Sequence, residues 1–316
     1  MSPGTPATPR VLVDAARLYY EHGLTHQQIA AELGLSRIKV TRLLAQARAA
    51  GVVEITINAP DEPFADLADK LRERHGLAQV WIAPTLPDAE DARAAVDQTG
   101  AMAIEAVLSG STVVAIGLSA TLGRAIDQVG QRDHDGSAQL SFVPMAGGWG
   151  GWQRGVNPGE LAQRLARRMN GRAYGFPAPL LAPSPEFATT LAALPEVSEA
   201  VRIASSADTL LFGVGSLDWQ TSQLQDSLSD AEREQLGERG AVGDIAARFF
   251  DSRGARVDSD VDRRVIGMTL EEMLRAPQRL LLAHGLPKAE AIRVALSAGM
   301  ATAFCTDSAT ARALLR

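Results

Sequence analysis

GLTHQQIAAELGLSRIKVTRLLAQARAAG, residues 23–51, reads as two short helices joined by a tight turn. Thr25 is placed to N-cap the first helix, and Gln28, three residues on, completes a capping box. Ile29, Ala30 and Leu33 form its apolar stripe, and Gly34 supplies the turn. Ser36 caps the second helix, whose Val40, Leu43, Leu44 and Ala47 recur at helical spacing and point inward. That leaves Ser36, Arg37, Lys39, Thr41 and Arg42 on the outer face and N-terminal end of the second helix, with Thr25 and Gln27 at the start of the first. These are the positions from which a helix-turn-helix reader touches phosphates and base edges in a major groove. An ordinary helical hairpin with solvated Arg and Lys is the competing reading. Caps, Gly turn, alanine packing and basic face together favour double-stranded DNA as the partner.

Working outward, Arg10 to His22 reads as a preceding amphipathic helix (Val11, Ala15, Leu18, Tyr19) that completes a three-helix core. Val52 to Ile57 reads as a strand, a wing or a link. Residues 1–9 read as a disordered lead-in without the apolar core of a signal peptide. Proline-containing NAPDEP then marks a boundary, so the expected domains are a DNA-binding unit over 1–57 and a larger one over 58–316. Two domains is also the natural prior for 316 residues. No run approaches the ~18 apolar residues of a membrane span. A single cysteine, Cys305, in an apolar strand-like run fits a buried thiol in a reducing cytoplasm. Net charge is −6, yet residues 1–57 carry six Lys/Arg against four Asp/Glu, a balance of +2 that leaves −8 elsewhere. A weakly basic head on an acidic body docks through the head alone, and gains affinity when several heads bind together.

The larger region alternates helix and strand signals. Phe64 to Arg74 is amphipathic through Phe64, Leu67, Ala68 and Leu71. Strand-length apolar runs follow at 79–83, 112–117, 140–145, 209–215, 279–283 and 301–306. Helix patterns lie at 88–108, 120–129, 159–169 and 289–298. Strand-turn-helix units in series give an α/β fold, a doubly wound parallel sheet. In that fold a ligand sits beyond the carboxyl ends of the strands. The residues expected there are Ser119 and Thr121 after one strand, and the loop AGGWGGWQRGVN after the next. This loop offers Gly147, Gly148, Trp149, Gln153, Arg154 and Asn157, with glycines for close backbone approach and tryptophans for stacking on a sugar ring. Gly215 follows the third strand, and His284 and Lys288 follow the fourth.

These features carry a family resemblance. LYYEHGLTHQQIAAELGLSRIKVTRLLAQARAAGVVEI (18–55), GVGSL (213–217), GAVGDIAARFFDSRG (240–254), VIGMTLEEML (265–274), KAEAIRVAL (288–296) and TDSATARALL (306–315) resemble the SorC family of bacterial transcriptional regulators, also grouped with the deoxyribonucleoside-regulator type. The resemblance spans essentially the whole chain. It implies an effector domain similar in fold to sugar-phosphate isomerases and CoA transferases, a sugar, polyol or sugar-phosphate effector, and a homotetramer built as a dimer of dimers. The family's effector lysine matches Lys288 and its acidic partner matches Asp244, with further contacts at Ser119, Thr121, Gly148 and Gly215. A structural ion pair is the alternative role for Asp244 and Lys288. Some phosphate-sensing members carry a basic residue where this chain has Met145-Ala146, and many have glycine where it has His284. The pocket therefore fits an unphosphorylated sugar or polyol, or else a phosphate met by Arg154.

The rival class is an enzyme, a sugar-phosphate isomerase-like domain fused to a DNA-binding head, with Lys288 and Asp244 as acid–base groups. Against it, the five histidines fall in no metal-ligand spacing and no Ser–His–Asp or P-loop pattern occurs. The sequence implies neither catalytic residues, nor a metal, nor a cofactor.

Overall fold

Capping chemistry sets the helix boundaries at the N-terminus. The computed structural model describes residues 10–53, 64–131, 140–148, 157–219 and 222–316. The chain divides into two units, Met1–Glu62 and Pro63–Arg316. In the first, α1 (Arg10–Tyr20), α2 (His26–Glu32) and α3 (Arg37–Ala49) pack together. The Thr25 hydroxyl accepts the Gln28 N–H at 3.3 Å while Gln28 Oε1 accepts the Thr25 N–H at 2.8 Å, the reciprocal box expected from the sequence. Ser36 Oγ accepts the Lys39 N–H at 3.3 Å and starts α3. Between them Gly34 takes φ +63°, the left-handed region that glycine enters without steric cost.

Leu12, Ala15, Ala16, Ile29, Val40, Leu43, Leu44 and Ala47 form this unit's core. One expectation is corrected in part: Ala15 is buried and Leu18 packs against the core as expected, but Leu12 and Ala16 complete the stripe, whereas Val11 and Tyr19 are exposed. The strand expected at 52–57 lies, from residue 54 onward, outside the described residues.

The second unit is α/β. Its strands are β1 (Gln79–Ala83), β2 (Val113–Ile116), β3 (Ser141–Pro144), β4 (Arg172–Ala173), β5 (Thr209–Phe212), β6 (Gly215–Ser216), β7 (Ala241–Ile245), β8 (Arg248–Asp251), β9 (Gln278–Leu282) and β10 (Ala303–Asp307). Seven of them pair in parallel in the order β1-β10-β9-β5-β2-β3-β4. The helices are α4 (Ala65–His75), α5 (Ala89–Val107), α6 (Ala120–Gln128), α7 (Pro158–Arg168), α8 (Pro185–Ala192), α9 (Pro195–Ser205), α10 (Asp230–Glu238), α11 (Asp260–Arg264), α12 (Leu270–Met273), α13 (Ala289–Ser297) and α14 (Ser308–Leu314).

Side-chain alternation along the strands divides the core in two, as the period of 2 requires. Val114, Ile116, Leu211, Leu280, Leu282 and Cys305 face one way, onto residues of α5, α6 and α7. Ala115, Leu210, Phe212, Leu281 and Phe304 face the other way, with residues of α4, α13 and α14. Both faces are therefore covered, the condition under which a parallel sheet is stable. Cys305 is buried, and burial pushes its thiol up to about 12, so the thiol stays protonated and inert.

A second sheet escaped the sequence reading. Strands β6, β7 and β8 form an antiparallel ribbon beyond the carboxyl end of β5. Arg248 at the start of β8 anchors it. Its Nε donates to Met268 O at 3.0 Å and Nη1 to Asp262 O at 2.7 Å and Asp262 Oδ1 at 3.2 Å, while Nη2 donates to Val265 O at 3.2 Å and Gly267 O at 3.3 Å. Both Arg248 and Asp262 are buried. Replacing Arg248 by Ala removes one partner of a buried pair and strands several carbonyls, so the unit should lose roughly 3–5 kcal/mol of stability. Urea unfolding measures this, and a loss below about 1 kcal/mol would show that the network does not hold the ribbon.

Candidate functional site

Two surfaces carry the polar chemistry, one in each unit. On α3, Arg37, Lys39 and Arg42 are exposed, as is Gln27 on α2, and among the described residues their side chains make no hydrogen bond or ion pair. The other three candidates do structural work. Thr25 and Ser36 spend their hydroxyl oxygens as caps. Thr41 donates to Arg37 O at 3.1 Å and lies 3.2 Å from His26 Nδ1, tying α3 to α2. The cationic residues are thus free to meet DNA, while the hydroxyls set the helix positions.

In the larger unit the strand order reverses direction between β2 and β5, and that switch point is where a doubly wound sheet opens a crevice. A cavity open to solvent occupies it. Ser119 and Thr121 come from the start of α6, Gly213 to Ser216 follow β5, Asp244 lies on β7, and Lys288 precedes α13; all line the cavity. Five residues expected from the sequence therefore converge: Ser119, Thr121, Gly215, Asp244 and Lys288.

Local chemistry fixes each. Ser119 caps α6, its Oγ accepting the Leu122 N–H at 3.1 Å. A Cβ at Gly213 would lie 2.6 Å from that oxygen, so only glycine fits there. Gly215 pairs directly with Asp244 across β6 and β7, and a Cβ on it would overlap Asp244 Oδ1. The glycine is what lets the carboxylate occupy its place. The two-residue turn between β7 and β8 is Ala246-Ala247, at φ +50° and +65°. Left-handed alanine costs about 1–2 kcal/mol per residue, which Gly or Asn at a type I′ hairpin would avoid. In return the Ala247 N–H donates to Asp244 Oδ2 at 3.0 Å, and both alanines line the cavity.

Burial pushes the Asp244 carboxyl up to about 6, against the opposing effects of the Ala247 N–H and the positive charge of Lys288. Burial also lowers the Lys288 pKa, with a contribution from Arg124, while Asp244 acts in the opposite sense. The two do not form an ion pair within 4 Å; the ammonium instead donates to Val214 O at 3.1 Å. A direct structural ion pair, one role open from the sequence, is not what the structure contains. Ser216, in the GVGSL segment, has a buried hydroxyl on the cavity wall without a hydrogen-bond partner. An unpaired buried hydroxyl costs about 1–3 kcal/mol.

Other expected residues lie elsewhere. Gly147 and Gly148 join backbone ladders to Ile266, Ala178 and Leu180. A Cβ on Gly148 would sit 2.7 Å from Asn157 Nδ2, and Asn157 itself caps α7 through Gly159 N–H at 3.0 Å. None of the three lines the cavity. His284 belongs to a neighbouring hollow with Arg124 and Asp307, its Nδ1 3.5 Å from Asp307 Oδ2. Burial would raise the Asp307 carboxyl, but hydrogen bonds from His284 and Thr310 outweigh it and hold it well below the usual range. Trp149, Gln153 and Arg154 lie outside the described residues.

Residues 62–316 match the family described as "Putative sugar-binding domain", and residues 16–50 match "Sigma-70, region 4". The chain is 32% identical over 305 residues to the transcriptional regulator LsrR of Escherichia coli (strain K12), covering 95% of this chain and 93% of that one. It is 31% identical over 301 residues to LsrR of Enterobacter sp. (strain 638), covering 94% and 90%. Among solved structures it is similar to the full-length sorbitol operon regulator SorC from Klebsiella pneumoniae, with a TM-score of 0.75 and 26% identity over 97% of this chain and 99% of that one.

The raised carboxyl yields a pH prediction. Because the folded unit holds the Asp244 proton up to about pH 6, against the ordinary 3.8, stability falls as pH rises through that window and stays lower above it. Asp244→Asn removes the charged form and keeps an oxygen for the Ala247 N–H. At pH 8 the variant should be more stable than the parent by up to about 3 kcal/mol, and at pH 4 the two should coincide. Denaturant titrations at both pH values decide it; equal stabilities at pH 8 would show that the carboxylate carries no burial penalty.

Proposed function

The chain belongs to the SorC-like family of sugar-responsive, DNA-binding transcriptional regulators, and we propose that its effector is a small sugar, polyol or sugar phosphate held at the switch-point cavity. The observation that carries the proposal is Asp244, a carboxylate buried in the cavity wall with one backbone amide as partner and an ammonium nearby. A carboxylate accepts two hydroxyl hydrogens at once, the geometry that a vicinal diol presents. Lys288 Nζ, already on one carbonyl, has further N–H groups for a ligand oxygen or phosphate. Ser119, Thr121 and the first amides of α6 supply hydroxyls and donors for the rest of a polyhydroxylated ligand. Ser216 gains the hydrogen bond it lacks. The apolar share of the lining (Leu118, Val214, Leu224, Ala246, Ala247) suits a sugar's C–H faces.

In this reading the cavity binds and does not turn over. The protein acts in the cytoplasm on the operator of a carbohydrate or polyol catabolic operon. The weak +2 balance of the DNA-binding unit supports a homo-oligomer, a tetramer built as a dimer of dimers, in which several heads share one operator. Effector binding biases the oligomer between states whose head spacing differs, and operator affinity follows.

Thermal unfolding of the full chain against a panel of sugars, polyols and their phosphates tests this. One chemical class should raise the transition, by linkage of binding to folding. No stabilisation by any panel member, or chemical conversion of the stabilising compound, would overturn it. Lys288→Ala should weaken that compound at least about tenfold through loss of a charge-assisted hydrogen bond and leave basal operator binding intact. Arg37→Ala and Arg42→Ala should do the reverse, measured by fluorescence anisotropy with labelled operator.

A further inference from the structure

One side chain on α3 is out of keeping with a solvated helix face. Ile38 is 74% exposed, the highest value among the exposed large apolar side chains of the described residues. It takes no part in the core of its unit, and isoleucine forms helix less readily than alanine. At about 100° of rotation per residue, the buried stripe of Val40, Leu43, Leu44 and Ala47 is centred on the side of the helix directly opposite Ile38. Thr41, Arg42 and Ala45, three, four and seven residues on, flank it on the outer face, and all are exposed. Arg37 and Lys39 project about 100° to either side of it.

This is an apolar centre between two cationic flanks. When a recognition helix lies in a major groove, its flanks face the phosphates of the two walls and its centre faces base edges. On those edges the one apolar feature is the 5-methyl group of thymine. A protein-docking surface would need a contiguous apolar patch, whereas Ile38 stands beside Thr41 and Arg42. We propose that Ile38 reads a thymine methyl at a fixed position of each operator half-site, while Arg37 and Lys39 bind phosphates on the two groove walls. The proposal rests on α3 being the recognition helix, and it makes Ile38 a determinant of sequence specificity outside the polar set.

The probe is duplex DNA selected from a random pool by the full-length protein, with each thymine of the selected site replaced in turn by uracil. At one thymine per half-site, uracil should weaken the parent protein about fourfold, the worth of one buried methyl. Ile38→Ala should weaken binding to the thymine duplex by a similar factor, and the uracil exchange should then have no further effect on the variant. Because Ile38 is exposed, the variant should unfold at the parent's temperature, which calorimetry checks. Equal uracil effects in parent and variant, or a selected site without such a thymine, would overturn the role of Ile38 while leaving DNA binding in place. Failure of the parent to enrich any sequence would overturn the DNA reading itself.

Discussion

The larger unit is organised around a carboxylate that is costly to bury. Asp244 sits inside a strand of the antiparallel ribbon, with a single backbone N–H on one oxygen and a lysine close enough to be felt but beyond ion-pair distance. Several otherwise odd residues follow from accommodating it. Gly215 is glycine because any side chain there would occupy the carboxylate's space. The Ala246-Ala247 turn is left-handed, and that geometry turns the Ala247 N–H back onto Asp244. Arg248, next in sequence, ties the ribbon to the carbonyls of residues 262–268. Strained backbone and under-paired polar groups gather where a structure has a task beyond folding. Here they gather at the topological switch point, which the sheet alone would mark as the place for a ligand.

Lys288 shows the same economy from the other side. Burial and Arg124 disfavour its charge, and Asp244 supports it. Each group is thus held in its ionised form in part by the other, without a direct ion pair between them. The separation rules out a direct ion pair between the two, which sequence spacing alone does not reveal.

Much of this was legible in the sequence, for physical reasons that differ by region. The helix-turn-helix could be read residue by residue because its signals are local: a capping box, a glycine at positive φ, and an apolar stripe at helical spacing, each of which the structure reproduces. The parallel strands were visible as short apolar runs because both faces of the sheet are buried. Their carboxyl ends then located Ser119, Thr121, Gly215 and Lys288. Asp244 had no comparable local signal. Its strand, AVGDI, contains a glycine and a charge and pairs with a two-residue strand, so no periodicity marks it, and only the resemblance of the GAVGDIAARFFDSRG segment pointed there.

The misplacements have a common cause as well. Gly147 and Gly148 read as ligand-facing because glycines after a strand permit close approach. The structure shows that the close approach is to the chain's own backbone, Pro179 for the first, and to Asn157 for the second. Thr41 reads as one of the outer-face positions that touch base edges and phosphates, and in the structure its hydroxyl also meets Arg37 O and His26. In each case residue type was read correctly and the partner was not, because partners are set by tertiary contacts that composition does not encode. Ile38 is the converse. A search for DNA-binding chemistry passes over an isoleucine, and only the geometry of α3, with the core stripe on the far side, shows that this side chain stands at the centre of the exposed face. Specificity in a major groove depends on methyl groups as well as hydrogen bonds, so the residue least like a nucleic-acid ligand by composition is the one best placed to read a base.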